Sequence, residues 1–186
     1  IITPTLPVAP EGVDYDESAR ILDGVAAAGA RFCMPHMCVT DALVDRTTRT
    51  IRGMDRLCAM IRERGMVPGL STHMPETPVY ADESELDVET YIQIYNAAGF
   101  LMQVEADWVH RIIWAARKPV ITIKPLAAGR LLPLVGLAFA WATLREQDMV
   151  CVGCLTPDEA RECIDISLAQ LAHGGPAVPL QATRSK

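Results

Sequence analysis

Helical and strand-like segments take turns along this chain from Asp14 to Leu171, and that alternation restricts its fold more than any other feature. Asp14–Ala28 reads as a helix with Ile21, Leu22, Val25 and Ala26 on one face and Gly29 as its stop. Arg31–His36 is a short apolar run with a polar end. Arg46–Arg64 carries Ile51, Met54, Leu57, Cys58 and Ile61 at the helical period, with Gly65 at the C′ position. Met66–Leu70 is the next strand and leads into Ser71, Thr72 and His73. Met74–Asp87 is Pro-rich and acidic, a loop with at most one short turn. Val88–Tyr95 is β-branched and aromatic and ends at Asn96, and Val104–Arg117 is a helix stopped by Pro119. Val120–Ile123 is the cleanest strand, followed by Lys124-Pro125; Leu131–Glu146 is a buried helix; Met149–Val152 is the last strand. Thr156-Pro157-Asp158-Glu159 is a capping box that opens a final helix, with Ala160, Cys163, Ile164 and Leu171 on its inner face.

Strands separated by helices pair in parallel, because parallel neighbours need a long crossover between them. The chain is therefore α/β, with five strand–helix repeats after a leading helix. A closed barrel and an open doubly wound sheet both satisfy this pattern. No Gly-rich fingerprint follows the first strand, which weighs against the dinucleotide-binding form of the open sheet. No boundary divides the sequence. Residues 1–186 are expected to form one domain, with 1–13 irregular or a leading strand and 174–186 a flexible tail.

Composition narrows the function classes. Half of the residues are hydrophobic, enough for a real core, and the formal net charge is -6 with Lys and Arg scattered. No basic stripe offers itself to nucleic acid. The most apolar run, Leu131–Leu144, is interrupted by Pro133 and Gly136 and is shorter than the roughly 20 residues a membrane requires. No stretch reads as a signal peptide, and a cytoplasmic location is expected. The six cysteines sit inside apolar patterns, as small buried hydrophobes do in a reducing compartment. Cys151-Val-Gly-Cys154 has metal or redox spacing, but strand alternation should send its two thiols to opposite faces.

In parallel α/β proteins functional groups collect beyond the C-terminal ends of the strands. Here those positions hold His36, Ser71, Thr72, His73, Asn96, Lys124, Gly153 and Cys154. His36 can donate to a carbonyl oxygen. His73 can hold an amide, a phosphate or a metal, although no H-x-H or HExxH spacing supports a metal site. Lys124, at the end of an apolar strand, can form a Schiff base or bind a phosphate. Gly129 lets a ligand approach backbone, and Arg130 lies near a helix start that favours anions. His110 and His173 lie outside this set and are expected to face solvent.

The order of these motifs resembles the C-terminal two-thirds of the aldo-keto reductases. The resemblance is carried by Arg31–His36, Gly69-Leu70-Ser71-Thr72-His73-Met74-Pro75-Glu76, Asp87–Asn96, Val120-Ile121-Thr122-Ile123-Lys124-Pro125-Leu126-Ala127-Ala128-Gly129, Leu137–Trp141, and Val150–Glu159. It implies a (β/α)8 TIM barrel truncated at its N-terminus, with about five to six βα units of a fold that runs to about 250 residues when complete. A start at Ile1 suits such a fragment. The resemblance also implies NADPH-dependent reduction of a carbonyl in a small-molecule substrate. His36 would orient the substrate, and Ser71, with Thr72, His73 and Asn96 around it, would meet the nicotinamide. Gly129, Arg130, Gly153, Thr156 and Glu162 would hold the phosphates and adenosine of NADP(H); no metal is implied. The chain departs from the family in four respects. The strands bearing the proton-donating tyrosine are absent, Gln93 is one position from the expected glutamine, Ile123 stands where an aromatic residue is common, and Cys154 and Glu159 replace basic residues. Two alternatives stay open: a Schiff-base lyase or aldolase using Lys124, and a non-catalytic metabolite-binding barrel. An incomplete barrel has an open sheet edge, and the chain is expected to be marginal in stability or to self-associate there.

Overall fold

The computed structural model describes residues 1–173, so the tail expected at 174–186 lies outside the described residues. The chain is mixed α/β with parallel strand pairing. Its backbone falls into two compact units, Ile1–Ile92 with Ala116–Pro119, and Gln93–Ala115 with the residues from Val120 onward.

In the first unit Ile2 bridges in parallel to Cys33. A hairpin of β1 (Val8–Ala9) and β2 (Gly12–Val13) follows. The helix α1 (Tyr15–Ala27) starts where the Asp14 carboxylate accepts the Glu17 N–H at 3.0 Å, and it buries Ser18, Leu22 and Val25. β3 (Phe32–Cys33) leads to α2 (Met37–Leu43), a helix in a stretch expected to be polar loop. β4 (Val44–Asp45) and β5 (Thr50–Ile51) form an antiparallel hairpin, and α3 (Met54–Glu63) begins only after it. The sequence expectation of one helix from Arg46 is thus corrected. Asp45 accepts the N–H groups of Thr47 and Thr48 at 2.8 and 3.2 Å, Arg49 turns the chain at φ 55°, and the threonines favour extended backbone. β6 (Val67–Pro68) pairs in parallel with β3, and β7 (Leu70–Thr72) continues the same row. There the N–H of Ser71 donates to the Pro35 carbonyl at 3.4 Å.

The segment expected to be a Pro-rich loop contains α4 (Glu76–Glu83). Pro75 caps it and Pro78 lies in its first turn, where a missing N–H costs nothing. β8 (Tyr91–Ile94), fully buried, is divided between the two units.

The second unit takes the end of β8, then α5 (Ala106–Ala115), β9 (Val120–Ile123), α6 (Pro133–Thr143), β10 (Met149–Cys151) and α7 (Pro157–His173). β9 and β10 pair in parallel, Ile121 opposite Met149 and Ile123 opposite Cys151. In hydrogen-bonding order the larger sheet reads β10-β9-β8-β7, and among the described residues no closed barrel forms. Asp148 ties the starts of β9 and β10. Its buried carboxylate accepts the Val120 N–H at 2.9 Å and the Arg145 guanidinium at 2.7 and 2.8 Å.

Three expectations about faces are corrected in this unit. His110 is buried, not solvent-facing. Its Nδ1 lies 3.4 Å from the Tyr95 hydroxyl, which donates to Thr143 Oγ1 at 3.0 Å, and burial pushes the imidazole below its ordinary pKa. The side chain of His173 lies outside the described residues. α6 is buried along Gly136, Leu137, Ala140 and Thr143 only, while Leu132, Leu134 and Val135 are exposed. On α7, which lies against α6, Cys163 is buried but Ile164 and Leu171 face outward. Apolar residues on both sides of these helices left the sequence without a polar stripe to fix their rotation. Among the described residues, no helix is long and apolar enough to cross a membrane.

Candidate functional site

The strand-end residues singled out from sequence divide between the two units. In the first, His36 is the N-cap of α2. Its Nδ1 accepts the Cys38 N–H at 3.4 Å and lies 3.0 Å from the Cys38 sulfur. Ser71 is buried on β7. The Thr72 hydroxyl donates to Asp41, sits 2.9 Å from the Thr77 hydroxyl, and accepts the Met74 N–H at 2.9 Å. The backbone N–H of His73 donates to the second oxygen of Asp41 at 3.1 Å. Asp41, which sequence reasoning missed, therefore organises the Ser71–Met74 turn from α2. Burial raises its carboxyl pKa, and the donors from Thr72 and the backbone of His73 and Met74 pull the other way. Its only signal in the sequence was a position five residues past His36, on a helix too short to show a period.

The second unit holds a cleft of about 790 Å³ just past the C-terminal ends of β9 and β10. Of the residues nominated from sequence, Lys124, Gly129, Gly153 and Glu162 line it. Pro125, Leu126, Leu131 and Leu132 give it apolar walls; Cys151, Cys154, Glu159 and Cys163 complete its polar side. Both cysteines of Cys151-Val-Gly-Cys154 line the same cleft, against the expectation of opposite faces. β10 ends at Cys151, so strand alternation does not extend to Cys154.

The loop between β9 and α6 is strained. Lys124, Ala127 and Ala128 all adopt left-handed backbone, at φ 58°, 50° and 54°, before Gly129 at 80°. Non-glycine residues pay about 1–3 kcal/mol each for such conformations, which concentrate at ligand-binding sites. Gly136 lets α6 approach this loop: a Cβ there would stand 2.5 Å from the Pro125 carbonyl oxygen. Gly153, by contrast, faces open space, with nothing within 4 Å of a Cβ built on it.

Three nominated residues are engaged elsewhere in this unit. The Asn96 amide donates to the Phe100 carbonyl at 3.0 Å and accepts the Phe100 N–H at 2.8 Å, closing its own turn. Arg130 lies over the Phe100 ring, 4.0 Å from its centroid, and donates to the Ala127 carbonyl at 3.2 Å. Thr156 caps α7 through the Glu159 N–H at 3.2 Å, and Glu159 returns a bond to the Leu155 N–H at 2.7 Å. Gln93 is fully buried, and its Oε1 has no hydrogen-bond partner among the described residues. Among the described residues no group of three or more His, Cys, Asp or Glu is arranged to hold a metal ion.

No protein-family model matches this chain, and no curated protein matches it in sequence.

Proposed function

We propose that this chain carries part of an aldo-keto-reductase-like (β/α)8 barrel and that the cleft beyond β9 and β10 is its ligand site, serving reduction of a small carbonyl compound with NADP(H). The observation that carries this reading is the coincidence of a roomy, apolar-walled cleft with three left-handed non-glycine residues in the loop beside it. The walls suit the faces of an adenine or nicotinamide ring, and Gly129 and Gly153 leave backbone accessible to phosphate oxygens. The charged side chains lining the cleft are Lys124, Glu159 and Glu162, a poor match for the 2′-phosphate. The residues therefore fit the rings of the cofactor better than its charge. Self-association along β10, the terminal strand of the ladder with Met149 and Cys151 exposed, and a cytoplasmic location belong to the same reading.

A second reading is favoured by that same charge balance. With a lysine as the cation lining an apolar cleft, a carbonyl substrate would condense with the Lys124 amine once that amine is deprotonated.

One experiment with two arms separates the readings. NADPH fluorescence titration of the chain is expected to give saturable binding that is lost in Gly153→Phe, a bulky side chain placed on the cleft lining at a position where a Cβ meets no protein atom within 4 Å. Absence of binding in the unaltered chain removes the cofactor from the proposal. Borohydride trapping with small aldehydes and ketones, followed by peptide mapping, then tests Lys124; a lysine left unmodified by every carbonyl tried ends the second reading.

A further inference from the structure

We infer that Cys154 is a thiol-modification site for low-molecular-weight disulfides, with Cys163 as the thiol that resolves the adduct. Both cysteines line the cleft of the second unit, and Cys154 is near enough to Cys163 to help raise the pKa of its thiol. Both are free thiols. Cys154 lies in the turn after β10 and is half-buried, so a small reagent reaches it from the cleft. Cys163, in the second turn of α7, is only 4% exposed. Burial first, and then Cys154 and the carboxylates of Glu162 and Glu159, hold the Cys163 thiol in its protonated form until a partner sulfur becomes electrophilic. Of the remaining cysteines, Cys151 is exposed and lines the same cleft, and its bond to Cys154 is the competing outcome of the test below. Cys33 and Cys58 are buried and pushed up to about 11 and about 12, and Cys38 is exposed beside His36, away from this cleft's lining.

The chemistry balances without any group beyond the reagent. Cys154 loses its proton to solvent, and its thiolate attacks one sulfur of the reagent disulfide, breaking that S–S bond. One reagent thiolate leaves and takes up a proton. Cys163 then loses its proton, attacks the Cys154 sulfur and expels the second reagent thiolate. Two protein thiols are oxidised and one small disulfide is reduced to two thiols. The new bond joins the turn after β10 to α7 along one wall of the cleft. It depends on no assumption about what the cleft binds.

The test treats the full chain with oxidised glutathione, blocks remaining thiols with N-ethylmaleimide, and maps the peptides by mass. The expected product links Cys154 to Cys163, carries two fewer maleimide groups than the untreated chain, and reverts with dithiothreitol. Cys163→Ser is expected to stop at a stable glutathione adduct on Cys154, and Cys154→Ser to leave Cys163 unmodified. A lasting glutathione adduct on Cys154 in the unaltered chain, or a Cys151–Cys154 bond, overturns the inference. Because the map of the unaltered chain decides by itself, the test survives a variant that fails to fold.

Discussion

Lys124, Ala127 and Ala128 hold a left-handed backbone that glycine would adopt at little cost, and each keeps a side chain. Ala128 is exposed, so no packing is lost when its methyl is removed. Ala128→Gly is expected to stabilise the chain by about 1 kcal/mol, relief of the left-handed penalty outweighing the entropy of the added glycine. The urea midpoint checks this, and an unchanged or lower midpoint would mean that the loop is not strained there. Lys124, Gly129 and Gly153 were found from sequence because strand ends and the turns after them can be read from pattern, whereas Glu162, on α7, came only with the family resemblance. Asp41 and Cys163 were not, because each acts from a helix, and a helix places a side chain by its rotation. Rotation is legible only where one face is clearly polar, and neither the short α2 nor α7, whose apolar and charged residues are mixed around its surface, has such a face.

At the scale of elements, the join between α6 and the strained loop depends on a missing methyl group. Gly136→Ala would bring a Cβ to 2.5 Å from the Pro125 carbonyl oxygen and 2.9 Å from the Leu126 side chain. Backbone has to move, so the substitution is expected to cost about 1–3 kcal/mol and to weaken any ligand of the cleft. Thermal melting and the binding titration read the two effects separately, and an unperturbed melt would count against the close approach. Elements were legible in proportion to their punctuation. β9 falls where it was expected because four β-region residues stand between Pro119 and Pro125. The β4–β5 hairpin was hidden because Ile51 joins smoothly to the apolar period of α3, and the period was extended back through Arg46. α4 was hidden because its prolines were taken as breakers, although in the first helical turn they break nothing.

Over the whole molecule, the α/β class was legible because alternation is a property of the full chain and survives errors at any one boundary. Stability integrates over the same scale, and His110 gives it a definite dependence on pH. Burial first, then Arg111, depresses the folded pKa of His110, with Asp107 opposing, while the unfolded side chain titrates near about 6.5. The folded state thus binds fewer protons. The contribution is fully present above the unfolded value, and it is lost as pH falls through that value towards the folded one. The denaturation midpoint is expected to drop on acidification through this window, and His110→Gln to flatten that part of the profile; an unchanged slope would contradict the burial of the imidazole. Asp41, raised by burial, acts in the opposite sense from about pH 4 upward, outside the upper part of that range. The imidazole also has a neighbour that emits light. Trp114 lies 5.4 Å from the His110 ring, centroid to centroid, and donates its indole N–H to the Thr143 carbonyl at 2.8 Å. An imidazolium beside an indole is a quencher, so Trp114 emission is expected to fall over the same acid window in which the fold loosens, giving a readout of that response that needs no added dye.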